Sequence, residues 1–335
     1  MHENKIEKIS IEEVEKIIEK EGKKGWRLAK KTILDHKECA PQFREALNYL
    51  TLIPDFFRPA MVSLCCKAVG GDPDIIIPTG ASFVLLSKAV GIHDDIIDDV
   101  KRRGKHITFY GKFGRDLALV FSDVLFFKGF TLLRKNLEIG VSPSTANEIL
   151  KTINNVWCYE QSCSEFMEIK SKGRWNVSLK KCLNKIRMRA SELETITRAG
   201  GILGGGSEKE IESLGSYGRL VGTASILRDE LIDMLEFDVL KHRIRNESLP
   251  LPLIYATRNS EVRPKILSIL RKKILTIDDL EKITEMTKKA GGLDFVIEQI
   301  EEVTSKAISY VNAFNIDQLI RMALSINVDQ KELGI

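Results

Sequence analysis

Residues 91–114 read GIHDDIIDDVKRRGKHITFYGKFG, and the aspartates of this stretch decide how the rest of the chain is read. On a helix, positions i, i+1 and i+4 lie on neighbouring faces, so Asp94, Asp95 and Asp98 point the same way. Three carboxylates at one point repel one another unless a cation joins them. Four Asp in six residues also disfavour a helix unless something binds them. Oxygen donors with only His93 beside them favour Mg²⁺ over zinc.

Farther along, Asp229-Glu230-Leu231-Ile232-Asp233 repeats the same spacing. Alone, such a pattern is ordinarily a solvated helix face. Paired with the first cluster it gains meaning, because basic residues follow both: Arg102, Arg103 and Lys105, then Lys241, Arg243 and Arg245. If the two helices face each other across a bundle, six carboxylates hold several Mg²⁺ ions, and such ions bind a diphosphate and stabilise its charge as it leaves. The trailing cations supply the further positive charge that a polyanion needs.

Around these clusters the chain reads as helical. Apolar residues recur at three- and four-residue spacing, and sustained alternation is scarce. Ser10 with Glu13 and Ser207 with Glu210 have capping-box spacing. All nine prolines leave two long spans, 79–142 and 144–249, broken only at Pro143. Gly200-Gly201 and Gly204-Gly205-Gly206 predict a helix end and turn, and Pro250-Leu-Pro252 is another punctuation. Without repeat or linker, residues 1–335 read as a single all-α domain, with N-terminal helices over 1–40, although the length of 335 residues gives about two domains as a prior.

Composition excludes other classes. With 43% hydrophobic and 29% charged residues the chain can bury a large core, which rules out disorder. Lys and Arg number 51 against 47 Asp and Glu, too balanced to argue for nucleic acid. No apolar run reaches the ~18 residues of a membrane span, and the most apolar stretch, 75–92, is broken by Pro78 and Lys88. The N-terminal MHENKIEKIS lacks the apolar segment of a secretory signal, so a cytoplasmic protein is expected. Cys39, Cys65, Cys66, Cys158, Cys163 and Cys182 form no CxxC pair and read as reduced, mostly buried thiols.

The sequence resembles the trans-isoprenyl diphosphate synthases, the polyprenyl synthetase family, from about residue 43 to 324. Residues 91–114 are similar to its first Asp-rich region, and YGRLVGTASILRDELIDMLE (217–236) to its second. FSDVLFFKGF, KIRMRASEL and NESLPLPLIYA match connecting segments in order. The resemblance implies the isoprenoid synthase helical bundle, with two Asp-rich helices facing a central cavity, in a protein that is generally a homodimer. It implies Mg²⁺ ligands at Asp94, Asp95, Asp98, Asp229 and Asp233, with Glu230 in place of an Asp. By the same carry-over, Arg102 contacts the allylic diphosphate, Arg58 and Arg103 the isopentenyl diphosphate, Arg189 replaces a diphosphate-binding Lys, and Lys241 serves as the basic residue after the second cluster.

Departures concentrate on one side of the expected chemistry. Asp55 stands where the family's GGKxxRP segment carries its Lys, and Ser87 where the preceding helix carries a His. Both changes erode the isopentenyl diphosphate site, while the allylic half is kept. Ala89 and Gly91 are small where bulky residues close the family's hydrophobic tunnel, which implies room for a long chain; Lys88 is out of place on that face. The expected activity is Mg²⁺-dependent prenyl transfer from an allylic prenyl diphosphate to isopentenyl diphosphate or another acceptor. A class I terpene synthase is the alternative, favoured by Asp55 and Ser87 but lacking a third ligand at Phe237. A non-catalytic subunit is the third, and it gives no reason to keep two like-charged clusters.

Overall fold

A computed structural model describes residues 10–35, 40–314 and 316–328; Cys39 lies outside them. In chain order the helices are α1 (Ile11–Leu34), α2 (Pro41–Leu50), α3 (Phe57–Ala68), α4 (Ile77–Ile97), α5 (Phe109–Phe113), α6 (Arg115–Glu138) and α7 (Pro143–Thr152). After a π-helical turn over Ile153–Cys158 come α8 (Tyr159–Ser171), α9 (Leu179–Arg189), α10 (Ser191–Leu203), α11 (Glu208–Leu235) and α12 (Phe237–Asn246). The chain closes with α13 (Leu251–Ala256), α14 (Arg263–Leu270), α15 (Ile277–Lys289), α16 (Gly292–Val311) and α17 (Asp317–Leu324). The expected all-α class is what the structure shows. Strand pairing among the described residues is confined to a hairpin of β1 (Arg102–Arg103) and β2 (His106–Ile107).

The described residues form two compact units. One comprises those of Met1–Thr152, Ile196–Leu214 and Phe314–Gln318; the other those of Ile153–Thr195, Gly215–Ala313 and Leu319–Ile335.

At the centre of the first unit is α4, which packs along α6 and against α1 and α3. Every residue of α4 from Pro78 to Ser87 is buried, so the helix is enclosed on all sides rather than amphipathic. Val84, Leu85 and Ala89 meet Trp26, Ile33, Phe121 and Leu125 in one core. Close approach is made possible by glycine: a Cβ at Gly22 of α1 would sit 2.0 Å from the Phe56 carbonyl oxygen, and one at Gly25 would sit 2.5 Å from Pro59 Cβ. No helix among the described residues is long and apolar enough to cross a membrane.

The second unit is organised by α13, short and buried, against α15 and α16, and by α8 against α9. Pro250 caps α13, as the Pro-Leu-Pro punctuation predicts. The two capping boxes part company. Ser207 and Glu210 form theirs, with Ser207 N–H donating to Glu210 at 2.7 Å and Glu210 N–H to the Ser207 hydroxyl at 3.4 Å. Ser10 occupies the N-cap of α1, but its side chain makes no cap bond.

Candidate active site

The first acidic cluster does not lie wholly on a helix. Helix α4 ends at Ile97, and Asp98 is its C-cap. Asp99 follows with φ of 54°, the one non-glycine in the left-handed region among the described residues. Val100 N–H then bonds to the Asp95 carbonyl at 2.8 Å and Asp99 N–H to that of Ile96 at 3.4 Å. These two bonds make a Schellman end, which normally takes glycine at the left-handed position. Here Asp99 is held by its own side chain, which accepts from the Tyr110 hydroxyl at 2.5 Å. A non-glycine so placed costs about 1 kcal/mol or more, and such strain gathers at functional sites.

This reversal folds the double-arginine hairpin back on the aspartates. Arg103 pairs with His106 across the hairpin, and Gly104 turns it with φ of 55°. The Arg103 guanidinium reaches Asp95 at 2.8 Å and Asp94 at 3.4 Å. Arg102 is exposed and donates to the Lys105 carbonyl at 3.5 Å. Asp95 and Asp98 are buried and Asp94 is half-buried. Burial pushes the Asp95 carboxyl up to about 6; Arg103 opposes this, and the Asp94 and Asp98 charges add to it.

The second cluster ends α11. Asp229 reaches solvent yet is crowded by protein, and this desolvation raises its carboxyl to about 6, with Asp233 and Glu230 adding and Arg189 opposing. Arg189 is thus an electrostatic neighbour of Asp229. Arg243 of α12 donates to Asp233 at 2.7 Å and to Glu230 at 3.0 Å. The other Glu230 oxygen accepts from Leu251 N–H at 2.6 Å, so both of its oxygens are committed to protein donors. Lys241 is exposed on α12. Arg243, buried between Leu240 and Ile244, is the cation of α12 that serves this cluster. Its spacing of three and one from those apolar residues was the signal that it points inward.

Arg58 and Asp55 are paired rather than independent. Asp55 accepts from Arg58 Nη1 at 2.7 Å and from Arg58 N–H at 3.3 Å, across the start of α3. Asp55 therefore anchors a retained arginine besides removing a lysine.

Two further buried networks escaped the sequence reading. Arg219 of α11 binds Glu160 and Glu194, and donates to the Arg187 carbonyl at 2.8 Å. Lys185 of α9 pairs with Glu168 of α8 beside Ser248. Each joins residues far apart in the chain, which no local spacing discloses.

Among the described residues no three acidic, His or Cys side chains converge as a ready cation site. Arg103 and Arg243 stand on the carboxylates instead. The donors nevertheless suit Mg²⁺: they are hard carboxylate oxygens, and Asp95 and Asp229 are pushed up by burial, to which the neighbouring negative charges add and which a divalent ion offsets.

Comparison with known proteins agrees with this frame. The polyprenyl synthetase family model matches residues 40–287. Geranylgeranyl diphosphate synthase of Methanosarcina mazei is 27% identical over 268 residues, 76% of each chain. Octaprenyl diphosphate synthase of Escherichia coli is 24% identical over 261 residues, 75% of this chain and 77% of that protein. Among solved structures, a geranylgeranyl pyrophosphate synthetase from the archaeon Geoglobus acetivorans superposes with a TM-score of 0.80 at 20% identity, covering 93% of this chain and all of that one. A polyprenyl synthase from Caulobacter crescentus, solved with calcium and isoprenyl diphosphate, gives 0.79 at 19% identity, covering 96% and 99%. The chain belongs to the polyprenyl synthetase family and is a prenyltransferase.

Proposed function

We propose that the protein is an elongating synthase that joins an allylic prenyl diphosphate to isopentenyl diphosphate with Mg²⁺. The observation that carries this is the reversal at Asp99, which sets Arg103 on Asp94 and Asp95 and leaves Arg102 exposed beside them. Asp94, Asp95, Asp98, Asp229 and Asp233 hold the ions in this reading, while Glu230 secures Arg243 and the start of α13. Mg²⁺, when bound, supplies positive charge to the departing diphosphate.

The remaining steps belong to the chain's own groups. Arg102, Arg189 and Lys241 bind the allylic diphosphate and favour charge on it as the C1–O bond breaks and the electron pair leaves with oxygen. Arg58 and Arg103 orient isopentenyl diphosphate, whose double bond attacks the allyl cation to form the new carbon–carbon bond. A proton lost from the adjacent carbon goes to the released diphosphate. The cation has to be kept from water, and the apolar surroundings of Ile92 and Phe109 do so.

A second copy of the chain covers the apolar side of α6, where Leu117, Val120, Phe127, Phe130 and Leu137 are exposed. The terpene synthase alternative is not favoured, since the matching family is the polyprenyl synthetases and the relatives named above are prenyl diphosphate synthases. The test is diphosphate release with Mg²⁺ from C10 to C25 allylic diphosphates, with and without isopentenyl diphosphate, followed by mass spectrometry. Products lengthened by C5 only with isopentenyl diphosphate are expected; hydrocarbons or alcohols without it would overturn the assignment.

A further inference from the structure

Lys88 is the residue of α4 that neither the core nor the acidic cluster explains. It is half-buried on a helix whose neighbouring turns are buried and apolar. Its ammonium donates to the Ile53 carbonyl at 3.3 Å and lies 5.5 Å from the centre of the Trp26 ring. Burial lowers its pKa, Asp55 raises it and Arg58 lowers it, so both residues at the start of α3 are its electrostatic neighbours. Lys88, Gly91 and Asp95, spaced by three and four, share one face of α4 and line a cavity of about 390 Å³. Arg103 and His106 of the hairpin line the same cavity.

The charges at this place add up differently from the sequence expectation. Asp55 and Arg58 form an ion pair and cancel. Lys88 leaves the group with one net positive charge, facing a cavity that Arg103 also lines. We propose that Lys88 is a diphosphate-binding residue that replaces, from α4, the positive charge which Asp55 removes, so that the cavity takes the diphosphate of the five-carbon acceptor. This rests on the elongating activity proposed above. The side chain suits that role, because a lysine is a mobile point charge on an apolar stem, and here its ammonium rests by the Trp26 ring while the residue lines the cavity.

The test is a split between the two substrates. Lys88→Met keeps the length and apolar stem and removes the charge; it is expected to raise KM for isopentenyl diphosphate at least tenfold and to move KM for the allylic diphosphate less than twofold. Asp55→Asn added to Lys88→Met restores one net positive charge and is expected to recover at least threefold of that loss. Asp55→Asn alone is expected to lower KM for isopentenyl diphosphate, which gives an answer even if Lys88→Met does not fold. Equal changes in both KM values, an isopentenyl KM within twofold of the unmodified protein, or no recovery on removing Asp55 would overturn the assignment of Lys88 alone. If the unmodified protein shows no turnover that depends on isopentenyl diphosphate, the elongating activity itself falls, and Lys88 with it.

Discussion

Glu168 and Lys185 meet as an ion pair closed to solvent, each side chain 7% exposed. Ser248 completes it: its hydroxyl accepts from Lys185 at 2.7 Å and its N–H donates to Glu168 at 2.7 Å. Burial acts to raise the Glu168 carboxyl, but Lys185, the Ser248 bond and Arg243 outweigh it and bring it down to about 2. A depressed carboxyl stabilises the fold above its unfolded pKa near 4.5, and that stability is lost as pH falls from there toward 2. The shift corresponds to about 3 kcal/mol. Urea midpoints are expected to drop steeply between pH 5 and 3, and less so in Glu168→Gln. At pH 7, Lys185→Met leaves a buried carboxylate unpaired and is expected to cost about 3–5 kcal/mol. A change below about 1 kcal/mol would show that the pair does not hold α8 to α9.

The acidic clusters divide into ion-holding and structural members. Asp94→Ala and Asp229→Ala are each expected to lower kcat by about 10²–10³ with little loss of thermal stability, since each removes charge stabilisation of the leaving group. Glu230→Gln is expected to behave in the opposite way. It disturbs Arg243 and Leu251 N–H, so the melting temperature falls while the gain in stability from Mg²⁺ with pyrophosphate persists. Loss of that gain in Glu230→Gln, with an unchanged melting temperature, would place Glu230 among the ion ligands instead.

These residues also mark what the sequence discloses. The all-α class followed from periodicity, and α4 and the Ser207 cap were legible because each rests on residues within a few turns of one another. The end of α4 was not. Four aspartates in six residues read alike whether they are helical or not, and what ends the helix is the left-handed backbone at Asp99, stabilised by Tyr110 eleven residues away. Arg243 was legible in principle, flanked by Leu240 and Ile244, whereas Lys241 drew attention only by its place after the motif. Lys88 is the opposite case. A lone cation on an apolar helix has no local explanation, and its neighbours Asp55 and Arg58 come from a separate helix start.

Gly91 leaves room for isopentenyl diphosphate in the elongating reading. It is exposed on the cavity-lining face of α4, and a Cβ there would meet nothing within 4 Å. Ala89, by contrast, is fully buried. Gly91→Phe therefore fills the cavity without displacing protein, and replacing a helical glycine favours the helix by up to about 1 kcal/mol. KM for isopentenyl diphosphate is expected to rise at least tenfold, with KM for the allylic diphosphate moved less, while the melting temperature holds or rises. An unchanged KM for isopentenyl diphosphate would show that the acceptor binds elsewhere.

The apolar side of α6 makes the last prediction. Phe127 is 76% exposed, and Leu117, Val120, Phe130 and Leu137 accompany it at spacings of three and seven, one broad stripe of the helix. The opposite side carries Ala118, Phe121, Leu125 and Leu132 into the core, so the exposed stripe is surplus to folding. A second copy of the chain covers it in the dimer proposed above. Phe127→Glu places a charge in the middle of the stripe, where burial without a partner costs several kcal/mol. Sedimentation is expected to show a dimer for the unmodified protein and a shift toward monomer for Phe127→Glu, with helical circular dichroism retained. A monomer for the unmodified protein, or a dimer of equal affinity in the variant, would show that this face of α6 does not join two copies.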